Sequence, residues 1–294
     1  MYPTHPTTRG LPDIAGCIAT FLSDRRAQNL SSGTVDFYSK KLKVFMQFCN
    51  AQLYTNLTDL TPDALRSFLI QLSEQGHNPG GIHCYYRTVK TLLSFIEAEY
   101  EPNDWHNPIT RIKPPRCAIE PLQGLASGLF GKLVMCAGVR DKMILYLLLE
   151  TGLRASELCG LDVGDVDLAD ASILVRMGKG RKPRYVFIGK TVRRALRIWL
   201  RTAPAGALFR TRYGDRLCYF TLRGIVRRLA ERVGVTPPGL HSFRRSYCLE
   251  SLRNGVDTVS LSRLMGHSSL QMLSRYLKQS KLDLQTAYKS VLDS

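Results

Sequence analysis

Several features that define other classes of protein are missing from this sequence of 294 residues. It contains no run of about eighteen apolar residues, which argues against a transmembrane helix. Its first ten residues, MYPTHPTTRG, lack the apolar segment of a signal peptide. We therefore expect a cytoplasmic protein that does not enter a membrane.

Metal-binding patterns are equally scarce. The eight cysteines are scattered without a CxxC pair, only six histidines occur, and the motif HExxH is absent. No neighbouring set of cysteines and histidines has the spacing of zinc ligands. The sequence thus predicts reduced thiols in or near the core, and it specifies neither a metal nor a cofactor.

Acidic side chains are few, and their shortage is uneven. The chain has 41 Lys and Arg against 24 Asp and Glu, a formal net charge of +17. Residues 1–120 carry 12 basic and 11 acidic groups, whereas residues 121–294 carry 29 and 13. Such an excess favours nucleic acid bound through its phosphates. From charge alone, attraction to membrane headgroups is the alternative.

The N-terminal part of the chain is predicted to be a bundle of four helices without strands. Apolar residues recur there at spacings of three and four. The helices are expected at residues 14–28, 31–52, 61–76 and about 81–98. We assign residues 1–110 to this domain. Residues 111–122, within a proline-rich segment that cannot form a continuous helix, are predicted to be an interdomain linker.

Residues 123–294 are predicted to form a mixed α+β domain, so that the whole chain is mainly α with a small β-sheet. A buried helix over residues 131–152 is followed by two strands, Ser172–Met177 and Arg184–Ile188, joined by a cationic turn. Two amphipathic helices follow, at residues 190–201 and 219–234, with arginines off their apolar faces. One such helix alone could lie on a membrane surface. Two beside a basic hairpin favour a groove-lining surface.

Four short motifs carry the groups suited to chemistry. TGLRASEL contains Arg154 and, three residues later, Glu157; HSFRRS places His241 and Arg244 one helical turn apart. The other two are GKG, with Lys179, and LMGHSSLQMLSRY, with His267 and Tyr276. Each motif alone is more typical of a structural role. In LMGHSSLQMLSRY, for example, Gly266 would end one helix, and Tyr276 would pack on the buried face of the next.

Together and in this order, the motifs closely resemble those of the tyrosine recombinase (phage integrase) family. The resemblance covers about Gly152 to Tyr276, and the N-terminal bundle with its linker looks like the core-binding domain of that family. It implies six catalytic residues: Arg154, Lys179, His241, Arg244, His267 and Tyr276. It also implies a site-specific recombinase or integrase that cuts and rejoins DNA through a covalent 3′-phosphotyrosine, without metal or ATP.

The resemblance assigns a role to each group. Tyr276 would attack the phosphate, the two arginines would stabilise the developing charge, and the histidines would donate hydrogen bonds or move a proton. Lys179 would protonate the leaving 5′-hydroxyl, although Arg181 and Lys182 lie on the same turn. We assign Glu157 to orienting Arg154, because a carboxylate facing the phosphate would repel it.

Further basic residues are predicted to bind the DNA backbone. These are Arg181, Lys182, Arg193, Arg194, Arg223, Arg227, Arg228 and Arg245. Arg245 stands where many family members have histidine, and Phe243 where a smaller aliphatic residue is usual. Both departures leave open how the backbone is contacted there.

The resemblance also predicts the partners. They are double-stranded DNA sites and further copies of this chain, as a dimer on each site and a tetramer in the synapse. The residues after Tyr276 would form a short helix that docks either on a neighbouring protomer or on its own domain. Two other functions remain open: relaxation of DNA in the manner of a type IB topoisomerase, and a non-catalytic accessory role in DNA binding. Phage integration, resolution of chromosome dimers, transposition and cassette exchange are not distinguished.

Overall fold

The computed structural model describes residues 12–102, 105–117, 123–176, 183–201 and 203–266. The chain divides into two compact units, Met1–Ile119 (unit 1) and Glu120–Ser294 (unit 2). Among the described residues, no helix combines the length and the apolar character needed to cross a bilayer. The described part is mainly helical with one small sheet, which confirms the predicted fold class.

Unit 1 contains the four predicted helices. They are α1 (Ile14–Ala27), α2 (Ser32–Ala51), α3 (Pro62–Glu74) and α4 (Pro79–Tyr100). Each begins after a polar residue whose side chain accepts a hydrogen bond from a backbone N–H of the first turn. These caps are Asp13, Ser31, Thr61 and Asn78. Aromatic and aliphatic side chains from all four helices fill the core, including Phe21, Phe45, Phe68 and Leu92.

The segment assigned to the linker begins as part of unit 1. Pro108–Arg111 forms a 3₁₀ helix, and Ile112 after it is buried in the core of the unit. The hydroxyl of Tyr86 on α4 donates to the carbonyl of Ile112 at 3.0 Å. Nδ1 of His83 lies 3.1 Å from the carbonyl oxygen of Pro115. Residues 111–117 therefore lie along α4, and residues 118–122 are outside the described part of the chain.

Unit 2 begins with two helices where the sequence predicts one. α5 (Leu129–Met135) and α6 (Val139–Thr151) replace the single helix expected over residues 131–152, so that prediction is wrong. Gly138 separates them, because its extended backbone (φ −72°, ψ 172°) caps α6 and breaks the helical path. Apolar residues continue on both sides of the break, and they concealed it. α6 lies at the centre of the unit, with Ile144, Leu145, Leu147 and Leu148 fully buried.

A short helix and an antiparallel sheet follow. α7 (Ala155–Gly160) leads to β1 (Val166–Asp167), β2 (Ser172–Val175) and β3 (Arg184–Phe187), in the spatial order β1-β2-β3. β2 and β3 form the predicted hairpin and pair Ile173 with Val186 and Val175 with Arg184. β1 was not predicted, since two residues give no periodic pattern. The tip of the hairpin, residues 177–182, lies outside the described residues.

The remaining described helices complete unit 2. They are α8 (Lys190–Leu200), α9 (Tyr219–Arg232), α10 (Leu240–Arg253) and α11 (Thr258–Met265). The amphipathic pattern is confirmed on α9, where Leu222, Ile225, Val226 and Leu229 are all buried. On α8, Val192 and Leu196 are buried, whereas Trp199 and Leu200 of the same predicted face are half-buried. α11 ends at Gly266 in the left-handed conformation, as the sequence predicts. The expected helices beyond Gly266 lie outside the described residues.

Candidate active site

The corner between α6 and α7 sets the direction of Arg154. α6 ends at Gly152, whose φ of 60° favours glycine. Glycine is needed there for a second reason, because a Cβ atom would lie 2.3 Å from Cδ1 of Tyr247. Arg154 then has an extended backbone and caps α7. The Thr-Gly-Leu-Arg sequence thus fixes both the turn and the point from which the Arg154 side chain leaves it.

Glu157 is the buried carboxylate of this region, with a side chain that is 3% exposed. Its Oε2 accepts from the backbone N–H of Arg154, and its Oε1 from Nη1 of the same residue, both at 2.7 Å. Arg184 adds a fork, with Nη1 donating to Oε1 and Nη2 to Oε2, both at 2.8 Å. Burial raises the pKa of Glu157, but the two arginines outweigh it and lower the pKa to about 2. Glu157 is therefore ionised at neutral pH.

Three arginines meet at the C-terminal end of α11. Nε of Arg184 donates to the carbonyl oxygen of Leu264 at 2.9 Å. Nη2 of Arg244 donates to the carbonyl of Met265, and Nη2 of Arg154 donates to the carbonyl of Gly266 at 3.0 Å. The last carbonyls of a helix have no partner within the helix and carry the negative end of its dipole. Each arginine therefore stabilises the turn that leads directly to His267.

α10 supplies His241 and Arg244 one turn apart. Arg244 is 4% exposed, and its Nη1 donates to the carbonyl of Gly152 at 2.5 Å. The pKa of His241 is lowered from 6.5 by partial burial and by the positive charges of Arg244, Arg245 and Arg154. His241 is therefore neutral at pH 7. A neutral imidazole has one nitrogen that accepts and one that donates, which suits proton transfer.

The structure brings together three of the six predicted catalytic residues. Arg154 and Arg244 donate to neighbouring carbonyls at the end of α11, and both influence the charge state of His241. The contact expected between Arg154 and Glu157 is present. The other predicted groups of the site and hairpin tip lie outside the described residues: Lys179, Arg181, Lys182, His267 and Tyr276.

Sequence reasoning missed Arg184, which it treated only as the start of a strand. A signal was available, because side chains alternate along a strand, and Arg184 therefore shares a face with Val186, which is fully buried. An arginine on an inward face requires a buried partner. Glu157 is that partner, 27 residues earlier in the chain.

The predicted backbone-binding arginines differ in how freely they face solvent. Exposed side chains are those of Arg194, Arg223, Arg227 and Arg228. Arg193 is half-buried and donates from Nη2 to the carbonyl of Ala169 at 3.1 Å. Arg245 is half-buried on α10. The exposed members lie opposite the apolar faces of α8 and α9.

The described residues contain no group of three or more His, Cys, Asp or Glu side chains able to hold a metal ion. All eight cysteines lie within the described ranges, and each is a free thiol. Burial raises the pKa of Cys17 to about 11 and those of Cys49 and Cys248 to about 12. These three thiols are therefore protonated at neutral pH and suit a core role.

Curated relatives match nearly the whole chain. A tyrosine recombinase XerC from Oceanobacillus iheyensis is 28% identical over 279 residues, which cover 89% of this chain and 90% of the relative. A tyrosine recombinase XerA from Pyrococcus horikoshii is also 28% identical, with coverage of 94% and 92%.

Solved structures share the fold at lower identity. The Tn1549 transposon integrase, in complex with a circular intermediate DNA, has a TM-score of 0.78 at 16% identity and covers 95% of this chain and 99% of its own. A lambda integrase dimer bound to a COC′ core site has a TM-score of 0.75 at 15% identity, with coverage of 88% and 97%. The model of the phage integrase family matches residues 129–282, more than half of the sequence. This match, on a chain whose arginines converge as described, shows that the protein belongs to the phage integrase family of tyrosine recombinases.

Proposed function

We propose that the protein is a site-specific DNA recombinase that cuts and rejoins strands through a covalent 3′-phosphotyrosine at Tyr276. The observation that carries this proposal is the convergence of Arg154 and Arg244 on consecutive carbonyls at the end of α11, directly before His267. Two fixed guanidinium groups beside a histidine form a site for a phosphate whose negative charge grows during the reaction.

The proposed reaction needs no ATP, because the bond energy is retained in the phosphotyrosine, and the arginines take the place of a metal in balancing the developing charge. The phenol oxygen of Tyr276 attacks the scissile phosphorus and loses its proton, while the bond from phosphorus to the 5′-oxygen breaks and that oxygen gains a proton. The product is a 3′-phosphotyrosine and a free 5′-hydroxyl, and attack by another 5′-hydroxyl reverses the step. Lys179 is the proposed acid for the leaving oxygen, with Arg181 and Lys182 as the alternatives on the same turn.

The described side chains have distinct proposed roles. The guanidinium groups of Arg154 and Arg244 are proposed to balance the charge of the non-bridging phosphate oxygens, which increases in the transition state. His241, neutral at pH 7, accepts or donates a hydrogen bond there. Glu157 holds Arg154 from behind. His267 is proposed to donate to the same phosphate.

Affinity for DNA is proposed to come from many phosphate contacts spread over both units. Arg194, Arg223, Arg227 and Arg228 are exposed on unit 2. On unit 1, α4 presents Arg87 and Lys90 beside an open groove of about 500 Å³, lined also by His83, Tyr86 and Pro114. We propose that unit 1 is the core-binding domain and that a linker connects it to unit 2. Because the proposed substrate is DNA, we also propose a cytoplasmic location.

Assembly on DNA is part of the same proposal. The lambda integrase of known structure is a dimer on its core site. We propose a dimer of this chain on each site and a tetramer when two sites pair, since exchange between two duplexes requires four strand cuts.

A covalent adduct on nicked DNA tests the proposal. A bound sequence is first selected from random duplexes, and a nick is then placed beside the cleaved phosphate, so that the short released strand diffuses away and the adduct accumulates. We expect an adduct with the wild-type protein and none with Tyr276→Phe, although both bind the duplex equally. Tight binding without an adduct from either protein would support an accessory role. Relaxation of supercoiled DNA by a monomer, without joint molecules, would support the topoisomerase-like alternative.

A further inference from the structure

Arg184 engages all three guanidinium nitrogens within unit 2. Nη1 and Nη2 donate to the two oxygens of Glu157, and Nε donates to the carbonyl of Leu264. The side chain is only 9% exposed. A guanidinium held in this way cannot bind a phosphate as an exposed arginine does. Any effect of Arg184 on DNA cleavage must therefore act through the groups to which it is hydrogen-bonded.

Those groups are the supports of Arg154. The guanidinium of Arg154 is anchored by Oε1 of Glu157 and by the carbonyl of Gly266. Arg184 binds the same Oε1 at 2.8 Å, and it binds the carbonyl of Leu264, two residues before Gly266, at 2.9 Å. Both anchors of Arg154 are thus fixed by Arg184.

Packing at Gly266 supports the same conclusion. Gly266 has a φ of 59°, and a Cβ atom there would lie 3.1 Å from Cδ of Arg184 and 3.2 Å from its Nε and Nη1. The stem and head of Arg184 therefore pack directly against the backbone of the turn. A shorter side chain at 184 would leave both the turn and one side of Glu157 unsupported.

We propose that Arg184 is a positioning residue for strand cleavage, which holds the Arg154 guanidinium in its phosphate-binding place through Glu157 and the turn at Gly266. This inference depends on the proposed function, because it assigns Arg154 to the scissile phosphate. It differs from a role in general stability, because the consequence of losing Arg184 depends on the charge of that phosphate.

A neutral phosphate provides the test. A methylphosphonate at the scissile position replaces one charged non-bridging oxygen with a methyl group, so that an arginine which balances that charge becomes less important. Single-turnover cleavage of the nicked duplex is measured with both substrates for the wild type, Arg154→Ala and Arg184→Gln. Arg140→Gln serves as the matched control. Arg140 also binds a carboxylate, that of Asp141, and a backbone carbonyl, that of Arg210, in unit 2. Neither group belongs to Glu157 or to the turn at Gly266.

On the natural phosphate, we expect Arg184→Gln to cleave about 100-fold more slowly than the wild type, as for a misplaced catalytic group, while its affinity for the duplex is unchanged. On the methylphosphonate, the defects of Arg184→Gln and Arg154→Ala should both shrink several-fold relative to the wild type, and Arg140→Gln should show little defect on either substrate.

Four results would count against these ideas in different ways. The inference alone would be overturned if the Arg184→Gln defect were equal on both substrates while the Arg154→Ala defect shrank. It would also be overturned if Arg184→Gln cleaved at the rate of Arg140→Gln. An Arg154→Ala defect that does not shrink would overturn the proposed role of Arg154 and the inference with it. Absence of any adduct with the wild type would instead overturn the proposed function.

Discussion

Replacing Glu157 with glutamine removes one buried negative charge and nearly preserves the shape of the side chain. The pKa of Glu157 is lowered from 4.5 to about 2 in the folded protein. A tenfold change in proton affinity corresponds to about 1.4 kcal/mol. Ionisation of Glu157 therefore stabilises folded unit 2 by about 3 kcal/mol at neutral pH. In Glu157→Gln, the guanidinium groups of Arg154 and Arg184 would face each other without the charge that separates them.

The pH dependence of this effect distinguishes it from simple loss of packing. Because the pKa of Glu157 is lower in the folded than in the unfolded chain, the stabilisation is fully present above pH 4.5 and is lost as the pH falls towards 2. The free energy of unfolding of the wild type should thus exceed that of Glu157→Gln by about 3 kcal/mol at pH 7. The difference should decrease steadily below pH 4.5.

The chain offers a convenient probe for this measurement. It has two tryptophans, Trp105 in unit 1 and Trp199 in unit 2, so that Trp105→Phe leaves fluorescence from unit 2 alone. Urea unfolding is followed in this background between pH 7 and pH 3.5, for the parent and for Glu157→Gln. Glu231→Gln is the control, because its carboxylate is 61% exposed and 3.6 Å from Nε of Arg227. Such an exposed pair contributes about 0–1 kcal/mol.

Two results would refute the reasoning. A difference in unfolding free energy that stays constant between pH 7 and pH 3.5 would mean that the ionised state of Glu157 is not what stabilises the site. A loss with Glu157→Gln no larger than that with Glu231→Gln would mean that the two guanidinium groups do not depend on the buried carboxylate.

Two further predictions concern the same site. Gly152→Ala should lower the free energy of unfolding by about 2 kcal/mol or more, because it combines a positive φ with a side-chain clash. Gly160→Ala, where a Cβ atom would meet open space, should change the free energy of unfolding by less than about 1 kcal/mol in the same urea titration. Equal losses in the two variants would contradict this prediction. The pKa of His241, measured by NMR of its ring protons, should lie below 6.5. It should rise in Arg245→Gln, because the positive charge of Arg245 helps to lower it. An unchanged pKa in that variant would show that the two groups do not interact.

The fold was predictable wherever its signals are local. The cap at Thr61 and the periodic apolar face of α3 are contained in one short segment, and the two basic helices of unit 2 have equally clear faces. The break at Gly138 was missed because apolar residues continue on both sides of it. One residue in an extended conformation does not change the spacing of apolar residues enough to be detected. β1 was missed because two residues are too few to show alternation.

The site was predictable to a similar extent. Arg154 caps α7 and Glu157 follows three residues later in its first turn, so their contact follows from the local geometry of a helix start. The contacts that set the site join distant segments: Arg184 reaches Leu264 across 80 residues, and Arg154 reaches Gly266 across 112. No spacing within one motif encodes such a contact. Only the inward position of an arginine on β3 indicated that a buried carboxylate had to be found elsewhere.

A buried carboxylate next to the proposed phosphate-binding site needs a physical explanation, because its charge should repel the phosphate. Both oxygens of Glu157 accept two N–H groups each, and the fork of Arg184 neutralises the charge where it lies. The Glu157–Arg184 pair is therefore neutral as a unit, and in the proposed mechanism Arg154 and Arg244 supply the positive charge that acts on the substrate. A phosphorane formed by attack of a phenolate on a phosphodiester carries two negative charges. In the proposed mechanism, the net charge of the three arginines and one glutamate matches that of the transition state, and the glutamate holds Arg154 rigidly in place.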